Sequence, residues 1–119
     1  MTELTPFTVA RTLADIGKQV EDAQIRLGDA LRAKTKAKHA YQNAFSQAIL
    51  ANKTDAEGNK LTDIIRRAIA QVSTSDLEAA YDEAADDVLT IRAEIDALHE
   101  RLKIGQSLGA VMRTEWQGN

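Results

Sequence analysis

The sequence predicts an all-α protein: a long antiparallel coiled-coil helical hairpin with a short third helix in the connection, assembled into oligomers. Three observations carry this. Leu77, Tyr81, Ala84, Val88, Ile91, Ile95, Leu98, Leu102, Gly105, Gly109, Met112 and Trp116 recur at alternating steps of four and three, which is the seam of a long helix. A second seam of equal length runs through Val9, Leu13, Ile16, Val20, Ala23, Leu27, Ala30, Lys34, Ala37, Tyr41, Ala44 and Ala48. The 119 residues hold one proline, and hydrophobic residues reach 44% while aromatics are only 4%, so the apolar content is rich in Ala and suits close-packed helices rather than a sandwich or barrel.

Helix 1 is expected over residues 6–52. Thr5 accepts from an early backbone N–H, and Pro6 loses no hydrogen bond at the first helical position. Gly17 and Gly28 lie off the seam and weaken this helix by roughly 1 kcal/mol each relative to Ala. Residues 53–60 read as a loop, because Asp55-Ala56-Glu57-Gly58-Asn59-Lys60 is turn-prone and lacks periodic apolar residues. A short helix over 61–72 follows, with Leu61, Ile64, Ile65, Ala68, Ile69 and Val72 on one apolar face and Asp63 near its start. Ser73-Thr74-Ser75 is expected to end it. Ser75 with Glu78 then forms a capping box opening the last helix, 75–117.

The two seams fold onto each other within a single domain, 1–119. Pairing positions whose numbers sum to 125 sets Ile16 against Gly109, Val20 against Gly105, Tyr41 against Ala84 and Ala44 against Tyr81, large facing small. A slip of one heptad would instead bring Tyr41 to Tyr81 or lose the glycine contacts. Gly105 and Gly109 are in phase with the seam, so close packing accounts for them; a kink or an oligomer contact is the alternative. Each arm of about 43 residues would be about 65 Å long at roughly 1.5 Å per residue.

Composition narrows function. A net charge of −3 gives no global attraction to nucleic acid, and the absence of cysteine excludes disulfides and thiolate metal sites. Residues 1–10 do not read as a signal peptide, and no run approaches membrane-spanning length, so no membrane partner and a cytoplasmic location in a bacterial host are expected. His39 and His99 lack a second ligand at helical spacing, and no glycine loop would cradle a phosphate. Carboxylate pairs such as Asp86-Asp87 sit on a solvated face. The expectation is a protein that is not an enzyme, with no catalytic residues, metal, cofactor or small-molecule substrate.

Two kinds of surface remain. Lys60, Arg66 and Arg67 form a basic group with few acidic neighbours, and Lys36 and Lys38 form a second within the run from Arg32 to His39. That run meets Asp82, Glu83, Asp86 and Asp87 at one level of the hairpin. The charges either fix register and orientation by pairing between the helices or leave a phosphate-binding stripe. Ile25, Leu31, Phe45, Ile49, Leu50, Leu89, Ile104 and Leu108 fall off the seam. The short helix is expected to cover those near the loop, and the rest predict a homo-oligomer of hairpins packed side by side.

The run Ala40-Tyr41, Ala44-Phe45 and Ala48, the Glu57-Gly58 turn, and the tail Gln106-Ser107-Leu108-Gly109-Ala110 with Arg113, Glu115 and Trp116 resemble small α-helical proteins of phages and prophages, particularly of actinobacteria, found near recombination or replication genes. Some of these have been likened to UvsY-type recombination mediators. The resemblance implies an oligomeric protein that binds single-stranded DNA and helps load a recombinase, with Lys60, Arg66, Arg67, Lys36 and Lys38 on phosphates and Trp116 either stacked on a base or packed at the seam. Two other classes fit the residues: a protein-binding adaptor or inhibitor of a host or defence protein, using the acidic stripe from Asp76 to Asp87, and a coiled coil of virion assembly.

Overall fold

The computed structural model describes the backbone of residues 5–117 and the side chains of residues 5–115. Three helices follow in order: α1, Pro6–Ala51; α2, Asp63–Ser73; and α3, Ser75–Gln117. Long α1 packs antiparallel against α3 as a helical hairpin, with α2 in the connection. The chain divides into two compact units, Met1–Gly28 with Leu89–Asn119, and Asp29–Val88.

In the first unit, α1 opens on a reciprocal cap. The Thr8 N–H donates to the Thr5 hydroxyl at 3.1 Å and the Thr5 N–H to the Thr8 hydroxyl at 2.9 Å, so two donors that a helix start leaves free are satisfied. The core is Ile16, Val20, Ala23, Ile95 and Leu98, flanked by Leu27, Ile91 and Leu102. Full burial of each large aliphatic side chain contributes about 1.5–3 kcal/mol.

The register corrects the sequence expectation. A Cβ on Gly105 would lie 2.5 Å from Leu13 Cδ2, and one on Gly109 would lie 3.5 Å from Val9 Cγ1. These partners sum to 118, one heptad from the expected 125. Gly105 therefore admits Leu13 rather than Val20, and Gly109 admits Val9 rather than Ile16. In this register large residues share layers in the core, Ile16 with Leu102 and Val20 with Leu98, while the glycines thin the layers beyond them.

The reversal of the chain lies in the second unit. Thr54 and Lys60 form an antiparallel bridge. Asp55 N–H donates to the Asn59 carbonyl at 2.8 Å, and Leu61 N–H to the Lys53 carbonyl at 2.9 Å. The Asp55 carboxylate accepts from the Glu57 and Asn59 N–H groups, and Gly58, at φ +83°, occupies the left-handed region. The chain thus reverses within 54–60. The expected sum of 125 centres the reversal between residues 62 and 63, C-terminal to this turn.

Beyond the turn, α2 runs almost continuously into α3. Thr62 caps α2 by accepting from the Ile65 N–H at 3.4 Å. At the far end, Thr74 N–H donates to the Ala70 carbonyl and Glu78 N–H to the Thr74 carbonyl, so the helical ladder passes through the junction. The expected capping box is replaced by this ladder. Ser73 and Thr74 hydroxyls also donate to the Ala70 carbonyl, at 3.1 and 2.7 Å, and Thr74 departs from helical dihedrals at φ −109°, ψ 13°. Such hydroxyl back-bonding bends a helix without ending it.

Because the ladder continues, the phase of the α3 seam continues too. Ala70 and Thr74 are buried, and Arg66 is half-buried one turn further back. The apolar face of α2 consequently points away from α1, contrary to the expectation that it covers the apolar residues near the loop. Leu50 stays exposed. Phe45 and Ile49 are half-buried, and Phe45 packs against Tyr41, which also meets Tyr81, at ring-centroid distances of 6.1 and 6.4 Å.

Candidate functional site

The most distinctive surface is the outward face of α2, the most strongly amphipathic of the three helices. Ile64 is 81% exposed, Ile65 47%, Ile69 37% and Val72 76%, and together with Ala68 and Ser73 they line a shallow groove of about 490 Å³. Leaving four β-branched aliphatic side chains in water forgoes the burial that normally drives a helix onto its core. Sequence periodicity finds these residues readily. It does not give the direction in which they point.

Arg66 holds α2 in that orientation. Its Nε and Nη2 donate to the Ile49 main-chain carbonyl at 3.1 and 2.6 Å, and Nη1 lies 3.9 Å from Asp63. Ile49 belongs to the last turn of α1, where carbonyls lack helical partners and a cation is favoured by the helix dipole. Asn52 caps the same end, its Nδ2 donating to the Ala48 carbonyl at 2.7 Å. Arg66 is therefore a capping residue. Of the expected basic group, Lys60 and Arg67 remain exposed, and Arg66 turns inward, so the structure does not bring the three guanidinium and ammonium groups to one open face.

Lys36 and Lys38 are exposed on α1. Leu31, Arg32, Thr35, Lys36 and His39 line a second shallow groove on the outer side of that helix. Arg32 is paired with Asp29 on its own helix, and Lys34, on the seam, is half-buried. Asp82, Glu83, Asp86 and Asp87 are exposed on α3. Among the described residues no ion pair joins this acidic group to the basic one. The pair that does cross between the helices lies in the first unit, where Arg26 Nη1 and Nη2 donate to the Glu94 carboxylate at 3.1 and 2.6 Å. That bidentate hydrogen bond, with the attached charge, holds Glu94 below the usual carboxylate range and raises Arg26.

The other off-seam residues are also placed. Ile25, Leu31, Leu89, Ile104 and Leu108 are exposed. Ile104 and Leu108 border a groove in the first unit with Thr8, Val9 and Thr12. The side chain of Trp116 lies outside the described residues. His39 and His99 fall in different units, and among the described residues no group of three or more His, Cys, Asp or Glu is arranged to hold a metal ion. No described helix is long and apolar enough to cross a membrane.

Fold and surfaces together define a class: an antiparallel helical hairpin that carries an amphipathic helix with an uncovered apolar face at its connection. In comparison with known proteins, no family model matches the chain, and no curated protein or solved structure gives a significant match.

Proposed function

We propose that this chain is a non-enzymatic interaction protein that binds a protein partner through the outward face of α2. The exposure of Ile64 and Val72 carries this reading. Covering each of them contributes about 2 kcal/mol, and Ile65 and Ile69 lie exposed beside them on the same helix. A hairpin of this kind offers its partner an i, i+4, i+8 ridge of Ile64, Ala68 and Val72 to pack into a groove. The adaptor and assembly roles both work this way. A photo-crosslinking residue at position 68 should yield discrete protein adducts in cells that make the chain, and one at Glu83 a different set or none. Adducts absent at position 68, or formed equally with and without Ile64→Asp and Val72→Asp, would remove the reading.

A second reading has its own observation. Lys36, Lys38, Lys60 and Arg67 form no ion pair with a carboxylate among the described residues, so an oligomer would repeat several open cations, and single-stranded DNA would be held by counterion release as in a recombination accessory protein. Labelled single-stranded DNA should then bind with a steep salt dependence that Lys36→Glu with Lys38→Glu flattens. Binding unchanged by those substitutions would exclude this surface.

A further inference from the structure

We propose that hairpins of this chain associate side by side, the basic outer face of α1 in one copy docking on the acidic outer face of α3 in a second copy. The faces belong to one unit, Asp29–Val88, and lie on opposite sides of its helix pair. Counting from the seam residues Lys34 and Ala84, Arg32, Lys36 and His39 are the outermost positions of α1, and Asp82, Glu83 and Asp86 those of α3. All six are exposed, with Leu31 and Thr35 beside the basic group.

Two observations commit the face to a second copy. The charges are complementary, and the chain itself leaves them uncoupled: among the described residues none of Lys36, Asp82, Glu83 and Asp86 forms an ion pair, and Arg32 meets only Asp29. Their heights also agree. The contacts of Tyr41 with Tyr81 and of Arg66 with Ile49 bracket a pairing sum of 118 in this unit, which sets Lys36 level with Asp82 and Arg32 level with Asp86. A neighbour moved sideways without turning therefore presents Asp82 to Lys36 and Asp86 to Arg32, with α1 antiparallel to the neighbour's α3. The contact is head-to-tail, so every added copy carries a free face of each sign, and growth by this translation is open-ended. Exposed ion pairs are individually weak, so the association depends on salt and on concentration.

Sedimentation of the full chain at low salt tests this. The wild type should form species larger than a dimer at micromolar concentration, dispersing toward monomer as salt approaches 1 M, where the Debye length is about 3 Å. Arg32→Glu with Lys36→Glu should weaken association roughly tenfold, and Asp82→Lys with Asp86→Lys should do the same. Mixing the two variants should restore it, because each reversed face then meets its complement. Circular dichroism checks that both variants keep wild-type helicity, and Lys36→Gln with Asp82→Asn, which only removes charge, gives a milder variant with a weakened association. A wild type that stays monomeric at low salt, variants that associate like the wild type, or folded variants that fail to restore association on mixing would each overturn the proposal. Crosslinking from position 68 is unaffected by these substitutions, so this docking and the α2 reading fail separately.

Discussion

The guanidinium of Arg66 holds the main-chain carbonyl of Ile49 through two hydrogen bonds, at 3.1 and 2.6 Å. This side chain joins Asn52 in closing the C-terminus of α1 and pins the side of α2 that the ladder through Thr74 turns inward. With Arg66, Ala70 and Thr74 turned toward α1, the isoleucines of α2 have nowhere to go but out. A residue that reads as a surface cation in the sequence thus helps hold that apolar face outward.

Arg66→Ala should lower stability by about 1–2 kcal/mol, because a charge-assisted bond is lost and the helix end keeps its unpaired carbonyls. Arg67→Ala, one residue on and exposed, should change stability by no more than about 0.5 kcal/mol. Urea melts of the two variants beside the wild type check the contrast. Equal effects would contradict the capping role.

The register can be read chemically, since the chain has no cysteine of its own. Cysteines at Val9 and Gly109 should oxidise readily to an intramolecular disulfide, while cysteines at Ile16 and Gly109 should not, because a heptad separates those two positions along the seam. Non-reducing electrophoresis with mass spectrometry distinguishes the two pairs.

Glycine substitutions should divide by the space each position offers. Nothing lies within 4 Å of a Cβ at Gly17, and at Gly109 it makes an ordinary contact of 3.5 Å, so Gly17→Ala and Gly109→Ala should each stabilise by about 1 kcal/mol through helix propensity. At Gly105 the new carbon would meet Leu13 Cδ2 at 2.5 Å. Leu13 must shift, so Gly105→Ala should gain less than the other two, and Gly105→Leu should destabilise by about 1–3 kcal/mol. Thermal melts of the four variants report this order.

Acid should reveal the Arg26–Glu94 pair. Its hydrogen bonds hold the folded carboxyl below its ordinary value, so its contribution is present above the usual carboxylate pKa of about 4.3 and is lost as pH falls through the folded value. The wild type should therefore melt above Glu94→Gln at neutral pH, with the gap narrowing only below about pH 4.3. A gap constant down to strong acid would show that the pair contributes nothing through ionisation.

The helices were legible because each has a local cause. Pro6 after Thr5, the four-three spacing of two seams, and the Asp55–Gly58 turn chemistry are all written within a few residues of where they act. The alternation of Ile64, Ile65, Ala68, Ile69 and Val72 likewise gives an amphipathic helix at α2. The basic cluster was legible as a composition only, because Arg66 and Arg67 are neighbours in sequence but point to different sides of one helix.

The sequence by itself determined two long helices, their seams and the amphipathic helix between them, because hydrogen-bonded helices with a repeating apolar stripe follow from local spacing. Tertiary structure decided the register and the direction of α2. A seam that repeats every seven residues looks the same to its partner after a slip of seven, so the repeat alone does not select the pairing sum of 118 that Gly105 with Leu13 and Gly109 with Val9 show. The helical ladder through Thr74 then carries the phase of α3 back into α2, and that phase, rather than the hydrophobicity of α2, turns Ile64 and Val72 to the outside.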